Sequence, residues 1–354
     1  MSYPESLVST DPAPKHTRRP RYRGTHPRRF HERYKELAAA EYPELIAHVR
    51  ESGRTPAGQH VAVLAGEVLE ALALQPGMRG IDATLGFGGH AERILAAIAP
   101  GGMLLALDAD PNELPRTHAR LRQLGYDDAV LLVRRTNFAG VHAAVATAGW
   151  DEGVDFLLAD LGVSSMQIDD PLRGFSFKAD GPLDMRMNPG RGVPAAEWLQ
   201  RVTRDALTAA LVENADEPHA SLIADALDRQ RGSISTTRAL ADAVSAALHG
   251  RAAPEDVDLA VRRVFQAVRI AVNDEFGALD ALLRQLPHCL RPGGRVALIS
   301  FHSGEDRRVK KALEEGERAG IYTGVTRQPV RASPSEQRAN PRAKPAKLRA
   351  ATRT

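Results

Sequence analysis

Gly80-Ile81-Asp82-Ala83-Thr84-Leu85-Gly86-Phe87-Gly88-Gly89-His90-Ala91-Glu92 starts apolar, passes through three glycines in four residues, then takes on helical spacing. The pattern predicts a short buried strand over 80–84, a turn over 86–89 and a helix from His90 to Ile98, stopped by Pro100-Gly101-Gly102. Further along, Met103–Asp108 is an apolar run ending in an acid, and a helix through Arg120 and Leu124 follows it. Ala129–Val133 and Val154–Asp160 read as a third and a fourth strand. Such runs alternating with helices predict parallel strands covered on both faces, an α/β fold.

After Asp160 the alternation stops for over a hundred residues. From about Ala195 to Leu259 the apolar residues keep helical spacing. The sheet pattern resumes with a helix over Val264–Leu290, then Pro292-Gly293-Gly294 and a strand over Arg295–Ser300. A helical unit is therefore expected inside an α/β unit. The expected division is a basic disordered extension at 1–35, the first part of the core at 36–175 and an inserted helical substrate domain at 176–262. The second part of the core at 263–325 and a basic C-terminal segment at 326–354 complete it.

A glycine-rich turn between strand and helix lets backbone N–H groups approach a ligand that a Cβ would block. Gly86-x-Gly88-x-x-Ala91 satisfies the dinucleotide fingerprint, and Asp108 at the end of the next strand suits the two hydroxyls of a ribose. These residues point to an adenosine ribose without choosing between NAD and S-adenosylmethionine. A turn shaped only for tight packing is the plainer alternative. His90 opens the helix, where it either contacts a ligand or caps the turn.

The chain has 354 residues, with 47 Lys+Arg against 44 Asp+Glu, and its net charge of +3 hides a segregation. Residues 15–35 carry +8 and residues 326–354 carry +7, whereas 36–325 carry −10. Basic ends either bind nucleic acid or are simply solvated. One cysteine, Cys289, excludes an internal disulfide framework and fits a reducing compartment. With no apolar core of a signal peptide and no apolar stretch of about 18 residues, a soluble cytoplasmic protein is expected.

The chemistry turns specific at Asp160-Leu161-Gly162-Val163-Ser164-Ser165-Met166-Gln167-Ile168-Asp169. With Arg173-Gly174-Phe175-Ser176-Phe177, Asp180-Gly181-Pro182-Leu183-Asp184-Met185-Arg186-Met187 and Ser300-Phe301-His302-Ser303, it closely resembles the MraW family. Further matches run in order from His60-Val61-Ala62-Val63-Leu64 to Asn340-Pro341-Arg342-Ala343-Lys344-Pro345 and on to Arg349. The resemblance implies a Rossmann-like class I methyltransferase core with an inserted α-helical domain. It implies S-adenosylmethionine as cofactor and, as substrate, the exocyclic N4 of a cytidine in the decoding centre of 16S ribosomal RNA, within the small ribosomal subunit. Carried over by motif, the cofactor contacts fall on Gly88, Gly89, His90, Asp108, Phe138, Asp160 and Gln167. The sequence departs from the family pattern at Met166, where Pro is usual, at Gly304, where Leu is usual, and at Ala65-Gly66. The 1–35 extension lies outside the shared pattern.

The N4 amine of cytosine is a poor nucleophile because its lone pair is delocalised into the ring. Transfer from a sulfonium needs an in-line approach, and positioning supplies up to roughly 7–11 kcal/mol in favourable cases. Acceptors aimed at the N–H bonds stabilise the positive charge that develops on nitrogen. Asp160 and the carbonyls after it are expected in that role, with Ser164 or Ser165 nearby. Asp184 either orients the base or pairs with Arg186. His302 either contacts the flipped base and receives a proton or is a hydrogen-bonded bystander. No Cys/His cluster has metal-ligand spacing, so no metal is expected.

An RNA base must leave its stack to reach a buried methyl donor. The helical insert and the 326–354 segment are the expected RNA-holding surfaces, and deleting that segment is expected to weaken substrate binding more than cofactor binding. An NAD-dependent dehydrogenase and a non-catalytic RNA-binding assembly protein remain the alternatives. Monomer and homodimer both stay open.

Overall fold

The structure, a computed structural model, describes residues 62–354; the expectations for 1–35 and for His60-Val61 lie outside the described residues. Strand β1 (Arg79–Asp82) sits between β2 (Met103–Asp108) and β4 (Val154–Asp160). Ile81 is in parallel register with Leu105 on one side and Leu157 on the other. With β3 (Leu131–Arg135), β5 (Leu290–Ser300), β6 (Tyr322–Thr323) and β7 (Lys347–Arg353), the sheet order is β3-β2-β1-β4-β5-β7-β6. The first five strands are parallel, and β7 runs antiparallel to both β5 and β6.

Both faces of the sheet are buried, which is why its strands read as near-continuous apolar runs. Successive residues of β2 and β4 go to opposite cores. Leu105, Leu107, Leu157 and Ala159 join one, under α4 (Val141–Thr147) and α11 (Glu275–Cys289). Leu104, Ala106, Phe156 and Leu158 join the other, with α1 (Ala65–Leu72) and α2 (Gly89–Ile98). Helix α3 (Glu113–Gln123) follows β2, and α5 (Ser165–Asp169) follows β4. This is the Rossmann-like α/β arrangement expected from the pattern.

The long helical stretch has a core of its own. It comprises α6 (Ala195–Arg201), α7 (Arg204–Ala215), α8 (Ala220–Gln230), α9 (Thr237–Leu248) and α10 (Pro254–Asn273). Val261, Val264, Phe265 and Val268 of α10, spaced for one face, pack with Leu207 and Leu211 of α7. The division expected after 262 therefore falls inside α10, whose packing continues to Val268. The single helix expected over Val264–Leu290 is two, broken at Asp274, which takes a left-handed φ of 48°. Gly277 accommodates the break, because a Cβ there would lie 2.5 Å from the Asp274 carboxylate.

The C-terminal segment is not a tail. Its strand β7 is wedged between β5 and β6, with Leu348 and Ala351 buried. Helices α12 (Ser303–Arg318) and α13 (Pro334–Ala339) complete the fold. Among the described residues no helix is long and apolar enough to cross a membrane.

Candidate active site

Strand order reverses between β1 and β4, and in open α/β sheets a crevice forms at the carboxyl ends of strands at that point. The loops after β1, β2, β4 and β5 enclose a cavity of about 450 Å³. Helix α10 closes it, with Gln266 and Arg269 beside its apolar stripe contributing to the cavity wall.

The glycine turn is braced from behind. Thr117 Oγ1 donates to the Gly86 carbonyl at 2.6 Å and Arg120 donates to that of Phe87. Gly88 has φ 72°, and a Cβ on it would sit 3.0 Å from both Thr117 and Arg120. Gly88 thus faces α3 and lies outside the cavity lining, whereas Gly89 and His90 line it. Asp108 closes the other side of the turn. Its carboxylate accepts from Gly86 N and Asp110 N, both at 2.8 Å. Phe138, in a short turn after β3, lines the cavity beyond it.

Ser164 and Gln167 cap α5 reciprocally, with Gln167 N donating to Ser164 Oγ at 3.2 Å and Ser164 N donating to Gln167 Oε1 at 2.9 Å. The Gln167 amide also donates to Asp110 at 2.8 Å. These bonds tie Ser164 Oγ to the helix as an acceptor, while Ser165 lines the cavity beside it. Met166 is buried.

Acids dominate the base of the site. Asp160 ends β4, and its Oδ1 is buried with no hydrogen-bond partner. Its Oδ2 lies 3.7 Å from His90 Nε2. Burial, with Asp82 and Glu305 close by, pushes the Asp160 carboxyl up to about 8. Burial also raises Asp82 to about 7, and Asp82 Oδ2 likewise lacks a partner. His90 is pushed down to about 4 by burial and by Arg93, so it is neutral and brings no compensating charge.

His302 caps α12, accepting from Glu305 N at 3.4 Å, and its Nε2 lies 3.2 Å from Glu305 Oε1. Burial favours a neutral Glu305, but the hydrogen bond and charge of His302, the Phe301 N–H and the Arg269 charge together outweigh it and hold the carboxyl below its usual range. Ligand-type atoms of Glu275, His302 and Glu305 lie within 4.8 Å of one another. Arg269 already occupies both oxygens of Glu275, at 2.8 and 2.9 Å, so a guanidinium stands where a metal would need lone pairs. Gly304 is explained by Phe276, whose ring a Cβ would meet at 2.6 Å.

The structure brings together Gly89, His90, Asp108, Phe138, Asp160, Ser164, Ser165, Gln167 and His302 on one wall. Asp184 stays away from that wall, its carboxylate bound by Arg186 at 2.7 and 2.8 Å. Sequence reasoning missed Asp82, Asp110 and Arg269. An acid inside a buried strand was the available signal for Asp82.

A family model described as the MraW methylase family matches residues 57–354. The chain belongs to the MraW methylase family. Among its relatives is the ribosomal RNA small subunit methyltransferase H 1 of Lachnoclostridium phytofermentans, 46% identical over 342 residues, covering 95% of this chain and 93% of that protein. The methyltransferase H 2 of Alkaliphilus metalliredigens is also 46% identical and covers 95% of this chain and 97% of its own. At 95% coverage both matches enter the 1–35 segment, whereas the family model starts at residue 57 and leaves that segment outside its pattern. The methyltransferase H of Acidobacterium capsulatum, 43% identical, covers 83% of this chain and 98% of its own. A solved structure described as a putative rRNA-methylase from Clostridium thermocellum aligns with a TM-score of 0.38 at 12% identity, over 83% of this chain and all of that one.

As an MraW methylase the chain is a methyltransferase, and its cofactor is S-adenosylmethionine. The cavity fits it. A braced glycine turn and Asp108 match the nucleoside end, and the acidic floor of the cavity at Asp160, with Asp82 buried behind it, matches a cationic sulfonium and ammonium. The dehydrogenase alternative falls with this membership.

Proposed function

We propose that this protein methylates the exocyclic N4 of a cytidine in the decoding centre of 16S ribosomal RNA. The ribosomal substrate is supported by the names of relatives that match over nearly their whole length. The N4 position is supported by Asp160: a carboxylate at the end of β4 with one buried, unpartnered oxygen in the cavity. Bound S-adenosylmethionine supplies an electrophilic methyl on a sulfonium. N4 would take that methyl and give up one proton, which this chain's residues must accept.

In this reading Asp160 Oδ1 accepts an N4–H bond and draws the nitrogen lone pair out of conjugation. The proton passes to Asp160 and on to solvent. A cation in the cavity makes the Asp160 carboxylate easier to ionise, so the acceptor is charged when it is needed. Gly89, His90, Asp108, Phe138 and Gln167 hold the donor, and Gly88 keeps the turn packed on α3. Ser165 has a hydroxyl with no partner among the described residues, available to orient the base, and Ser164, whose Oγ accepts at the cap, keeps its O–H to donate. Asp184 braces the loop through Arg186, and His302 acts as a helix cap at the cavity edge.

The test is labelled methyl transfer to small ribosomal subunits that lack the modification, followed by nucleoside analysis of the product. N4-methylcytidine at one position is expected. Label in another nucleoside, or none, would overturn the reading.

A further inference from the structure

Leu172 is the most exposed large hydrophobic side chain among the described residues, at 73%. It sits on the turn Pro171–Arg173 directly after α5. A lone exposed leucine on a surface is ordinary; what sets this one apart is how the turn is held. Asp170 caps it, accepting from Leu172 N at 2.9 Å. Arg173, the next residue, donates to Asp110 at 2.8 Å and to the carbonyls of Arg186 and Met187 at 3.0 and 2.9 Å. On the other side Asp169 pairs with Arg342 at 2.6 Å.

Asp110, Met187 and Arg342 all line the cavity, so the turn that carries Leu172 is anchored to the cavity's own lining. The backbone has no slack there. A Cβ on Gly181 would lie 2.1 Å from the Pro171 carbonyl, and one on Gly174 would lie 2.4 Å from that of Pro182. The fold thus spends close packing and a buried Asp110–Arg173 ion pair on holding an apolar side chain out in water. Arg338 and Lys344, exposed and without an ion-pair partner, lie beside the lining residues Asn340, Arg342 and Pro345, a charge that suits a polyanion.

We infer that Leu172 is a wedge: when the target base turns into the cavity, this side chain enters the vacated stack and holds the RNA open. Apolar side chains play this part where proteins unstack nucleic acid. The inference rests on the proposed methylation of an RNA base. Leu172 is a positioning residue, since it touches neighbouring bases and not the reacting atoms.

The test compares Leu172→Ala, Leu172→Asn and Leu172→Met on unmodified small ribosomal subunits, with cofactor affinity and thermal midpoint measured alongside. Ala and Asn are expected to lower kcat by at least about tenfold, a barrier change of about 1.4 kcal/mol, with KM, cofactor affinity and thermal midpoint near wild type. Met is expected to restore most of the rate, because it is apolar and of similar reach. Wild-type rates for Asn, failure of Met to rescue, or parallel loss of cofactor binding would overturn the wedge. Failure of the underlying reading shows separately, as no N4-methylcytidine from the wild-type protein.

Discussion

Asp160 is a carboxylate placed beside two others, with a neutral histidine as its nearest neighbour of the opposite type. If its buried oxygen serves substrate as proposed, Asp160→Asn should lower turnover by roughly 10²–10³-fold, the usual cost of removing one preorganised partner of a developing charge. Cofactor affinity should fall far less; equal losses in a binding titration and in single-turnover assays would refute the acceptor role. The same group leaves a stability signature. Asp160 and Asp82 ionise at about 8 and about 7 in the fold, against the ordinary 3.8 of a solvated aspartate. Between these limits the folded state keeps protons that the unfolded chain has lost, so stability falls as pH rises and levels off above about 8. Asp160→Asn should therefore melt higher than wild type without cofactor, by more at pH 9 than at pH 5, as a calorimetric pH series would show. Asp160 was legible from its place at a strand end. Arg269 was not, because its meaning lies in Glu275, across a helix break that only the left-handed Asp274 creates.

At the level of elements, strands survived the reading better than helix limits. Val154–Asp160 emerges as expected because both of its faces are buried, so every residue carries the signal. The third strand lies at Leu131–Arg135 rather than 129–133, since its last residues are exposed arginines with no apolar mark. Gly80 shows what the sheet demands locally. It pairs with Phe156, and a Cβ would sit 2.2 Å from that ring. Gly80→Ala should destabilise by about 1–3 kcal/mol through overpacking, and Phe156→Leu should recover part of the loss in a double-mutant cycle; simple additivity would disprove the clash. The strand most at odds with its composition is β7. Arg349 is buried against Asp306 at 2.7 Å, Lys347 joins it at 3.0 Å, and the strand pairs along six residues of β5. Truncation after Ala346 should abolish cooperative unfolding and remove cofactor and RNA binding together, which far-ultraviolet dichroism and binding assays would register. Selective loss of RNA binding would restore the tail that composition suggested.

Across the whole molecule, opposite charges sort themselves between structure and partner. The segment 326–354 holds eight basic residues. Arg327 pairs with Glu317, Arg342 with Asp169, Lys347 and Arg349 with Asp306, and Arg353 donates to carbonyls of the last turns. That leaves Arg331, Arg338 and Lys344 exposed and unpaired, around a rim whose neighbours Asn340, Pro341 and Pro345 line the cavity. The body from 36 to 325 carries a net −10, which disfavours a polyanion over that surface as a whole. In the proposed reaction the three free cations are the phosphate contacts on the side where the base enters. Each contact to single-stranded RNA contributes about 0.7 to the slope of log affinity against log salt. Replacing Arg331, Arg338 and Lys344 together by Gln should flatten that slope by about 2, measured by filter binding from low to moderate salt. The cofactor should bind as before, because none of the three touches the cavity wall. An unchanged slope would move the RNA contacts off this rim and onto the helical layer, where Arg191, Arg238 and Arg251 are the next cations to substitute.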